Sequence, residues 1–498
     1  MGSRRFAQRG HASLTTELLG PAARSIGQRT PTPRQRVVVA LAVLAGLALV
    51  TATLLREPAG PRETSAAPVV APTTPASVID NVVAHVQDAA RSLTGPVAPP
   101  SGLAPVRLTA EHLAAARTQM GRAEASLIEV YRLIGEERHR EALKQAEALV
   151  QAHPNFQLAQ LVVGDLLSLQ TRPVRQLGDV PDTKALAAPT QLTALREESR
   201  RRLLALTERP PEGSVPTQFL TLSPKSRHAI AIDASRSRLY LFENLNAERG
   251  GNEADRAPRL KLLADFYISV GLSGIEKNTE GDKRTPLGVY YITSNLNPAN
   301  LPDLYGVGAL PINYPNALDL QRGKTGSGIW LHGTPTEQFV RAPQASDGCV
   351  VLSNPDLERV LATVRIRTTP VVIAPSLQWV QPDALAGERA QFETVLNDWR
   401  RARSEGNLDE LKGFYSPRFA NQGRDLAQWW PRVEEELRGG KARELNIKDL
   451  SVLRWQDQED TMVVTFGEVA VGQSRGVTKR QYWVREQNRW SIFFEGII

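Results

Sequence analysis

The hydrophobic period of this chain changes at His228, and no other feature limits its fold as much. From Thr109 to Leu169 apolar residues recur at spacings of three and four, as in Leu127, Val130, Tyr131 and Ile134, then Ala142, Leu143, Ala146, Leu149 and Val150. That is the spacing of amphipathic helices, and two or three are expected. Ala125 to Pro154 reads as one helical hairpin of the tetratricopeptide kind, with Tyr131, Ala142 and Pro154 in fitting places. Only one copy is evident, so residues 108–210, with a further helix over Gln191 to Glu208, read as a plain helical packing module.

After His228 the apolar runs shorten and are punctuated by Gly, Pro and Asn. Ala229-Ile230-Ala231-Ile232, Leu239-Tyr240-Leu241-Phe242, Val289-Tyr290-Tyr291-Ile292, Ile329-Trp330-Leu331, Val350-Val351-Leu352 and Val371-Val372-Ile373 read as strands. Leu260 to Val270 adds a segment that reads as strand throughout, and Asn354 to Val364 a helix. A mostly antiparallel sandwich or barrel over 226–376 follows. A last unit, 388–498, opens with helices at Arg389 to Ser404 and Asn407 to Tyr415 and closes with strands at Leu445 to Gln456, Thr461 to Gly472, Val477 to Glu486 and Arg489 to Glu495. This is an α+β order. Trp429 and Trp430 read as its aromatic core, with a pocket lining as the alternative.

Val37 to Leu55 is nineteen residues without a charge, long enough as a helix to cross most of a bilayer core. No convincing small-x-small cleavage site follows directly, which favours an uncleaved anchor over a signal peptide. Residues 1–36 carry seven arginines against the single acid Glu17. The positive-inside bias puts this tail in the cytoplasm and the bulk of the chain outside. The tail supplies six of the seven net positive charges, and no basic, aromatic-interleaved face follows, which argues against nucleic-acid binding. Residues 56–107, rich in Pro, Ala, Thr and Ser, read as a spacer with a short helix around Val78 to Leu93.

One cysteine is present, Cys349, in Ser346-Asp347-Gly348-Cys349-Val350-Val351, and His332 lies seventeen residues upstream. A thiol attacks as its thiolate, so a histidine brought close by a loop between adjacent strands makes Cys349 a candidate nucleophile and His332 its base. The alternative is a small buried thiol beside an unrelated histidine. A catalytic thiol with no intramolecular partner suits an oxidising compartment. The amides of Gly348 and Cys349, and of Asp347, are candidates to hold an oxyanion, and Gly348 leaves room for the substrate to approach. Ser346 either binds substrate or fixes the turn. Asp347 either caps the turn through its own backbone or holds a substrate ammonium group. His11, His85, His112, His139, His153 and His228 show no ligand spacing, and nothing reads as a phosphate loop, so neither metal nor cofactor is expected.

Taken in order, Thr285-Pro286-Leu287-Gly288, Tyr305-Gly306, Ile312-Asn313-Tyr314-Pro315, His332-Gly333-Thr334 and Ser346-Asp347-Gly348-Cys349 resemble the YkuD-type L,D-transpeptidase catalytic domain of bacterial cell-wall enzymes. The resemblance covers about His228 to Ala374. It implies a β-rich fold in which the cysteine attacks a peptide bond at diaminopimelate in the peptidoglycan stem, forming a thioester that an amine or water resolves. It also implies that a backbone carbonyl, here that of Gly333, orients the histidine. The common pattern has histidine at the place of Asp347 and arginine at that of Val351, where a cation would suit a substrate carboxylate. Thr285-Pro286-Leu287-Gly288 reads as a structural turn.

The run from Trp330 to Asn354, with the helical leader and the last unit, is similar to the YafK-type branch. That branch is linked to detaching an outer-membrane lipoprotein from peptidoglycan by hydrolysing the amide between diaminopimelate and its terminal lysine. The last unit resembles the cone-shaped nuclear-transport-factor-like (SnoaL-type) fold at Trp399, Gly406-Asn407-Leu408, Phe414-Tyr415, Tyr482-Trp483-Val484 and Trp490. A multidomain envelope protein is therefore expected, anchored in the inner membrane through 37–55 with its catalytic part in the periplasm. Its expected partners are peptidoglycan stem peptides and a peptidoglycan-linked lipoprotein. A catalytically silent wall-binding or scaffold protein is the competing expectation.

Overall fold

The computed structural model describes residues 114, 118–174, 176–179, 189–248, 257–438, 445–471 and 476–498. The basic tail, the apolar run Val37 to Leu55, the spacer and its expected helix around Val78 to Leu93 lie outside these residues. Among the described residues no helix is long and apolar enough to cross a membrane.

The helical region contains α1 (Arg122–Gly135), α2 (His139–Ala152), α3 (Gln157–Ser168) and α4 (Pro189–Thr207). Leu127, Ile134, Ala142, Leu149, Leu158 and Val162 leave the faces of the first three helices and meet in one apolar cluster with Phe156 and Leu206. Each such side chain contributes about 1.5–3 kcal/mol on burial.

Among the described residues nineteen strands follow. The first seven are β1 (Val215–Pro216), β2 (Phe219–Thr221), β3 (His228–Asp233), β4 (Arg238–Asn244), β5 (Leu260–Tyr267), β6 (Val270–Gly271) and β7 (Gly288–Tyr291). Next come β8 (Ala309–Pro311), β9 (Trp330–His332), β10 (Gln344–Ser346), β11 (Val350–Val351), β12 (Pro370–Ala374) and β13 (Trp379–Val380). The last are β14 (Ala420–Asn421), β15 (Arg424–Asp425), β16 (Leu445–Gln456), β17 (Asp460–Ala470), β18 (Val477–Glu486) and β19 (Arg489–Ile497). Helices interleave with them: α5 (Ala317–Gln321), α6 (Asn354–Thr363), α7 (Ala386–Glu405) and, before β14, α8 (Leu408–Lys412), with α9 (Leu426–Glu436) after β15.

The middle domain is built on a five-stranded sheet in the order β5-β4-β3-β12-β7. Both faces of this sheet are buried, which explains its near-continuous apolar runs. Ala229, Ala231, Tyr240, Phe242, Val372 and Ala374 face one cluster, while the alternating Ile230, Ile232, Leu239, Leu241, Val371 and Ile373 face another. The sheet is mixed rather than simply antiparallel. β12 runs parallel to β3, β11 to β9 and β10 to β6. A parallel pair needs a crossover instead of a tight turn, and the chain between β9 and β11 is such a connection. The expected single strand over Leu260 to Val270 is broken at Ile268-Ser269, and its end, β6, leaves the large sheet to pair with β10.

The C-terminal domain wraps α7, α8 and α9 around the sheet β19-β18-β17-β16-β2. Gly406 closes α7 in the left-handed region, and the Asp425 capping box starts α9. Trp429 and Trp430 are buried against Phe419 and Tyr415, at ring distances of 5.7 and 5.6 Å, and belong to the core rather than to a pocket.

The strand β2 was not expected. It precedes the middle domain in sequence but pairs with β16 of the C-terminal sheet, Thr221 beside Val452 and Phe219 beside Leu453. β1 likewise pairs with β13. One apolar cluster is therefore shared by both domains, joining Ala231, Phe242 and Val372 to Leu453, Tyr482 and Phe493. The helical region is joined to the middle domain by charge as well as by apolar contact. Arg238 at the start of β4 donates to both carboxylate oxygens of Glu124 on α1, each at 2.7 Å, and Arg202 of α4 reaches the same carboxylate at 3.0 Å. All three side chains are buried. Burial alone would raise the Glu124 carboxyl, but the two guanidinium groups outweigh it and hold the carboxyl below its usual range.

Candidate active site

β9 and β11 lie side by side in parallel, Leu331 beside Val350 and His332 beside Val351. The Leu352 amide donates to the His332 carbonyl at 2.9 Å. Leu331 and Val350 point into the core. Strand alternation turns Trp330, His332 and Val351 to the opposite face, and Cys349, one residue before β11, falls on that face beside Trp330. The sixteen-residue segment between His332 and Cys349 is thus closed by strand pairing.

His332 is buried, and its Nδ1 lies 2.7 Å from the carbonyl of Gly333. A carbonyl only accepts, so Nδ1 carries the ring proton and Nε2 is left with the lone pair. The ring of Tyr305 meets the imidazole edge-on at 5.0 Å and also packs on Trp330 at 4.7 Å. Burial pushes the imidazole pKa down to about 4, with the Gly333 hydrogen bond opposing and the Arg341 charge reinforcing that shift. The Cys349 sulfur donates to the Gly328 carbonyl at 3.5 Å. Burial raises the thiol pKa, the Trp330 backbone and Arg341 lower it, and Asp347 raises it. The resting pair is therefore a neutral thiol and a neutral imidazole. Such a pair attacks by handing the thiol proton to Nε2 as the carbon–sulfur bond forms, rather than from a standing thiolate.

The turn holding the thiol is fixed by Ser346. Its buried hydroxyl donates to the Cys349 carbonyl at 2.6 Å and accepts from the Gly348 amide at 3.1 Å. Of the two expected roles for Ser346, turn support is the one its contacts fill. The Gly348 amide is consumed by that bond, so its expected part in an oxyanion hole falls away. The amides of Asp347 and Cys349 have no protein acceptor among the described residues and remain as donors. Gly348 has φ 122°, and a Cβ there would lie 2.7 Å from the Arg284 carbonyl, so glycine is required by backbone packing as well as by substrate access. Thr285 is buried beneath the same turn, donating to the Gly348 carbonyl and accepting from Gly271, both at 2.9 Å. Its motif is structural, as expected.

Asp347 does not cap the turn. Its side chain is 85% exposed and sits 3.8 Å from the ammonium of Lys283, itself half exposed. Val351 is buried on β11 with its backbone paired to Ser269, so no charge stands at that position.

Three groups at the site escaped sequence reasoning. Asn354 clasps the chain on either side of the histidine loop: its Oδ1 accepts from Thr334 at 3.1 Å and Val307 at 3.3 Å, and its Nδ2 donates to Thr334 at 3.0 Å. The helical region grips the same loop from outside. Phe339 packs on Phe156 at 4.5 Å and His153 at 4.7 Å, and Asn155 donates to the Thr336 carbonyl at 2.8 Å. Two residues beyond Phe339 comes Arg341, half-buried, whose charge acts on His332 and Cys349. No hydrogen bond or ion pair engages its guanidinium among the described residues. Nothing in the sequence marks Arg341, because only the fold of the loop brings it to the thiol.

Comparison with known proteins gives two family matches. Residues 227–373 match the YkuD model, the L,D-transpeptidase catalytic domain, and residues 391–496 match the Cds6 C-terminal NTF2-like domain. Among solved structures, Bd1075 of Bdellovibrio bacteriovorus is 22% identical over 57% of this chain and 98% of its own, with a TM-score of 0.47. The helical cell shape determining protein Pgp2 from Campylobacter jejuni is 20% identical over 56% of this chain and 95% of its own, with a TM-score of 0.44. No curated protein matches the chain.

Proposed function

We propose that this chain, which carries a YkuD-type L,D-transpeptidase catalytic domain at 227–373 and an NTF2-like domain at 391–496, is a peptidoglycan-modifying cysteine enzyme acting at diaminopimelate through a thioester on Cys349. The observation that carries this reading is the parallel register of β9 and β11, which sets Cys349 and His332 on one face of the strand pair, two residues apart in register. His332 takes the thiol proton through Nε2 while Nδ1 stays bonded to the Gly333 carbonyl, and the Asp347 and Cys349 amides receive the developing oxyanion. The imidazolium then protonates the leaving amine, and an incoming amine or water resolves the thioester. Arg341 supplies the cation that position 351 lacks, facing a stem-peptide carboxylate.

Both the transpeptidase outcome and the amidase outcome, release of a peptidoglycan-linked lipoprotein as in the YafK-type branch, pass through this acyl-enzyme. We place the site outside the inner membrane, held there by residues 37–55. Incubation with defined muropeptides and with lipoprotein-linked muropeptides, with Cys349→Ala as control, separates the outcomes. Cross-linked products mark transfer, released lipoprotein marks hydrolysis, and no Cys349-dependent product overturns both.

One observation favours a second reading, a silent wall-binding or scaffold protein. The thiol is raised by burial and its recorded partner is the Gly328 carbonyl, not the imidazole. Unchanged wall composition with Cys349→Ala in the cell would support it.

A further inference from the structure

A cavity of about 760 Å³ lies not at the thiol but where the middle and C-terminal domains meet. Its walls come from the segment joining β1 to β2, the segment after β12, the end of β16 and the loop 276–278. It is separate from the interior of the C-terminal cone, which α7 and α9 fill with aromatic side chains. A volume of this size takes a ligand of two sugar rings or a short peptide.

The lining chooses between them. Arg322, Lys324 and Arg454 are on its wall, and each already has a carboxylate: Arg322 has Asp457, Lys324 has Asp319 at 3.3 Å and Arg454 has Glu388 at 3.0 Å, while the Nε of Arg454 is shielded from solvent without an acceptor. What remains open is the Arg454 Nε donor, the exposed Glu276 carboxylate and a set of neutral amides. Gln218 Oε1 is shielded from solvent and has no hydrogen-bond partner, and the side chains of Gln378 and Gln458 engage none among the described residues. A buried amide oxygen without a donor is unfavourable, and a ligand donor would relieve it. Leu287 and Pro375 add small apolar patches. An uncharged ligand bearing hydroxyl and amide groups meets both the open Arg454 Nε donor and the open Gln218 oxygen, and the exposed Glu276 carboxylate repels a carboxylate-rich peptide.

We propose that this interdomain cavity binds the N-acetylated glycan of the wall polymer, as a site separate from the thiol. The inference rests on the proposed action on peptidoglycan, whose stem peptides are charged while its peptide-linked sugars are neutral. The two sites share one loop. Glu276 and Asn278 face the cavity, while Thr285, at the other end of the same loop, holds the Gly348 carbonyl of the catalytic turn. Glycan seated in the cavity is thereby tied to the position of the turn that receives its peptide.

The test is calorimetric titration of the full chain with peptide-free N-acetylglucosamine oligomers and, separately, with free stem tetrapeptide. Oligomer binding should weaken roughly tenfold in Gln218→Leu and in Gln378→Ala, while acylation of Cys349 by free tetrapeptide stays unchanged. Circular dichroism checks that each variant is folded, and either one alone suffices. No oligomer binding, or binding indifferent to both substitutions, overturns the proposal. Competition by tetrapeptide for the cavity also overturns it, in favour of a peptide subsite. Glycan binding without any Cys349 acylation leaves this site standing and removes the proposed enzyme activity instead.

Discussion

Val351 lies beside His332 across the parallel pair β11 and β9, so the short step from Val351 back to Cys349 runs along the same face as the imidazole. The electrostatics of that face sets the first expectation. His332 is buried with its pKa pushed down to about 4, against about 6.5 for an open imidazole. A base works only when unprotonated, so acylation of Cys349 should fall on acidification near pH 4 and stay level from about pH 5 upward. The pH–rate profile of acylation by a stem tetrapeptide measures this, and a limb near 6.5 would contradict a buried, neutral imidazole.

Ser346→Ala removes the donor to the Cys349 carbonyl and the acceptor for the Gly348 amide together. The expected cost is about 1–3 kcal/mol of stability, since buried partners are left unmatched. Acylation should fall further than stability, because the freed Gly348 amide no longer fixes the thiol. Thermal melts and acylation rates on one variant compare the two.

Arg341 offers a charge with no partner among the described residues, close enough to act on both His332 and Cys349. Arg341→Ala should raise KM for a stem peptide bearing a free carboxylate and leave KM for its amidated counterpart little changed. Arg341→Lys should restore only part, because a lysine lacks the two-pronged donor geometry. Equal losses on both substrates would remove Arg341 from substrate binding.

Glu124→Gln leaves Arg238 and Arg202 buried without their shared carboxylate. Breaking such a set from one side costs about 3–5 kcal/mol. Because the Glu124 carboxyl is held below its usual range, its contribution is present at neutral pH and is lost as pH falls through that depressed value. Chemical denaturation of wild type and variant at neutral and acidic pH should therefore converge on acidification.

Much of this was legible in the sequence, and what was not has a physical reason. The strands of the middle domain announced themselves because a sheet buried on both faces requires unbroken apolar runs. The helices over 122–168 did so through their spacing. Ser346, Gly348 and His332 were recognisable because a turn presenting a thiol needs those residue types in local order. β2 was missed because three residues give no period, and its partner β16 lies more than two hundred residues away. Arg341 and Asn354 were missed for the same reason. Their roles exist only once Phe339 is pinned by Phe156 and the loop after His332 is folded back onto α6. Which amides are free to receive an oxyanion was not legible, since hydrogen-bond competition between Ser346 and a substrate for the Gly348 amide cannot be read from spacing.

The central claim is that Cys349 becomes acylated by a wall stem peptide. Intact-protein mass spectrometry after rapid acid quenching, with full chain and diaminopimelate-containing tetrapeptide, tests it directly. The account predicts a thioester adduct mapped to Cys349 in wild type, diminished in His332→Gln and absent in Cys349→Ala. An unmodified Cys349 in a folded wild-type chain that still binds the peptide would contradict it.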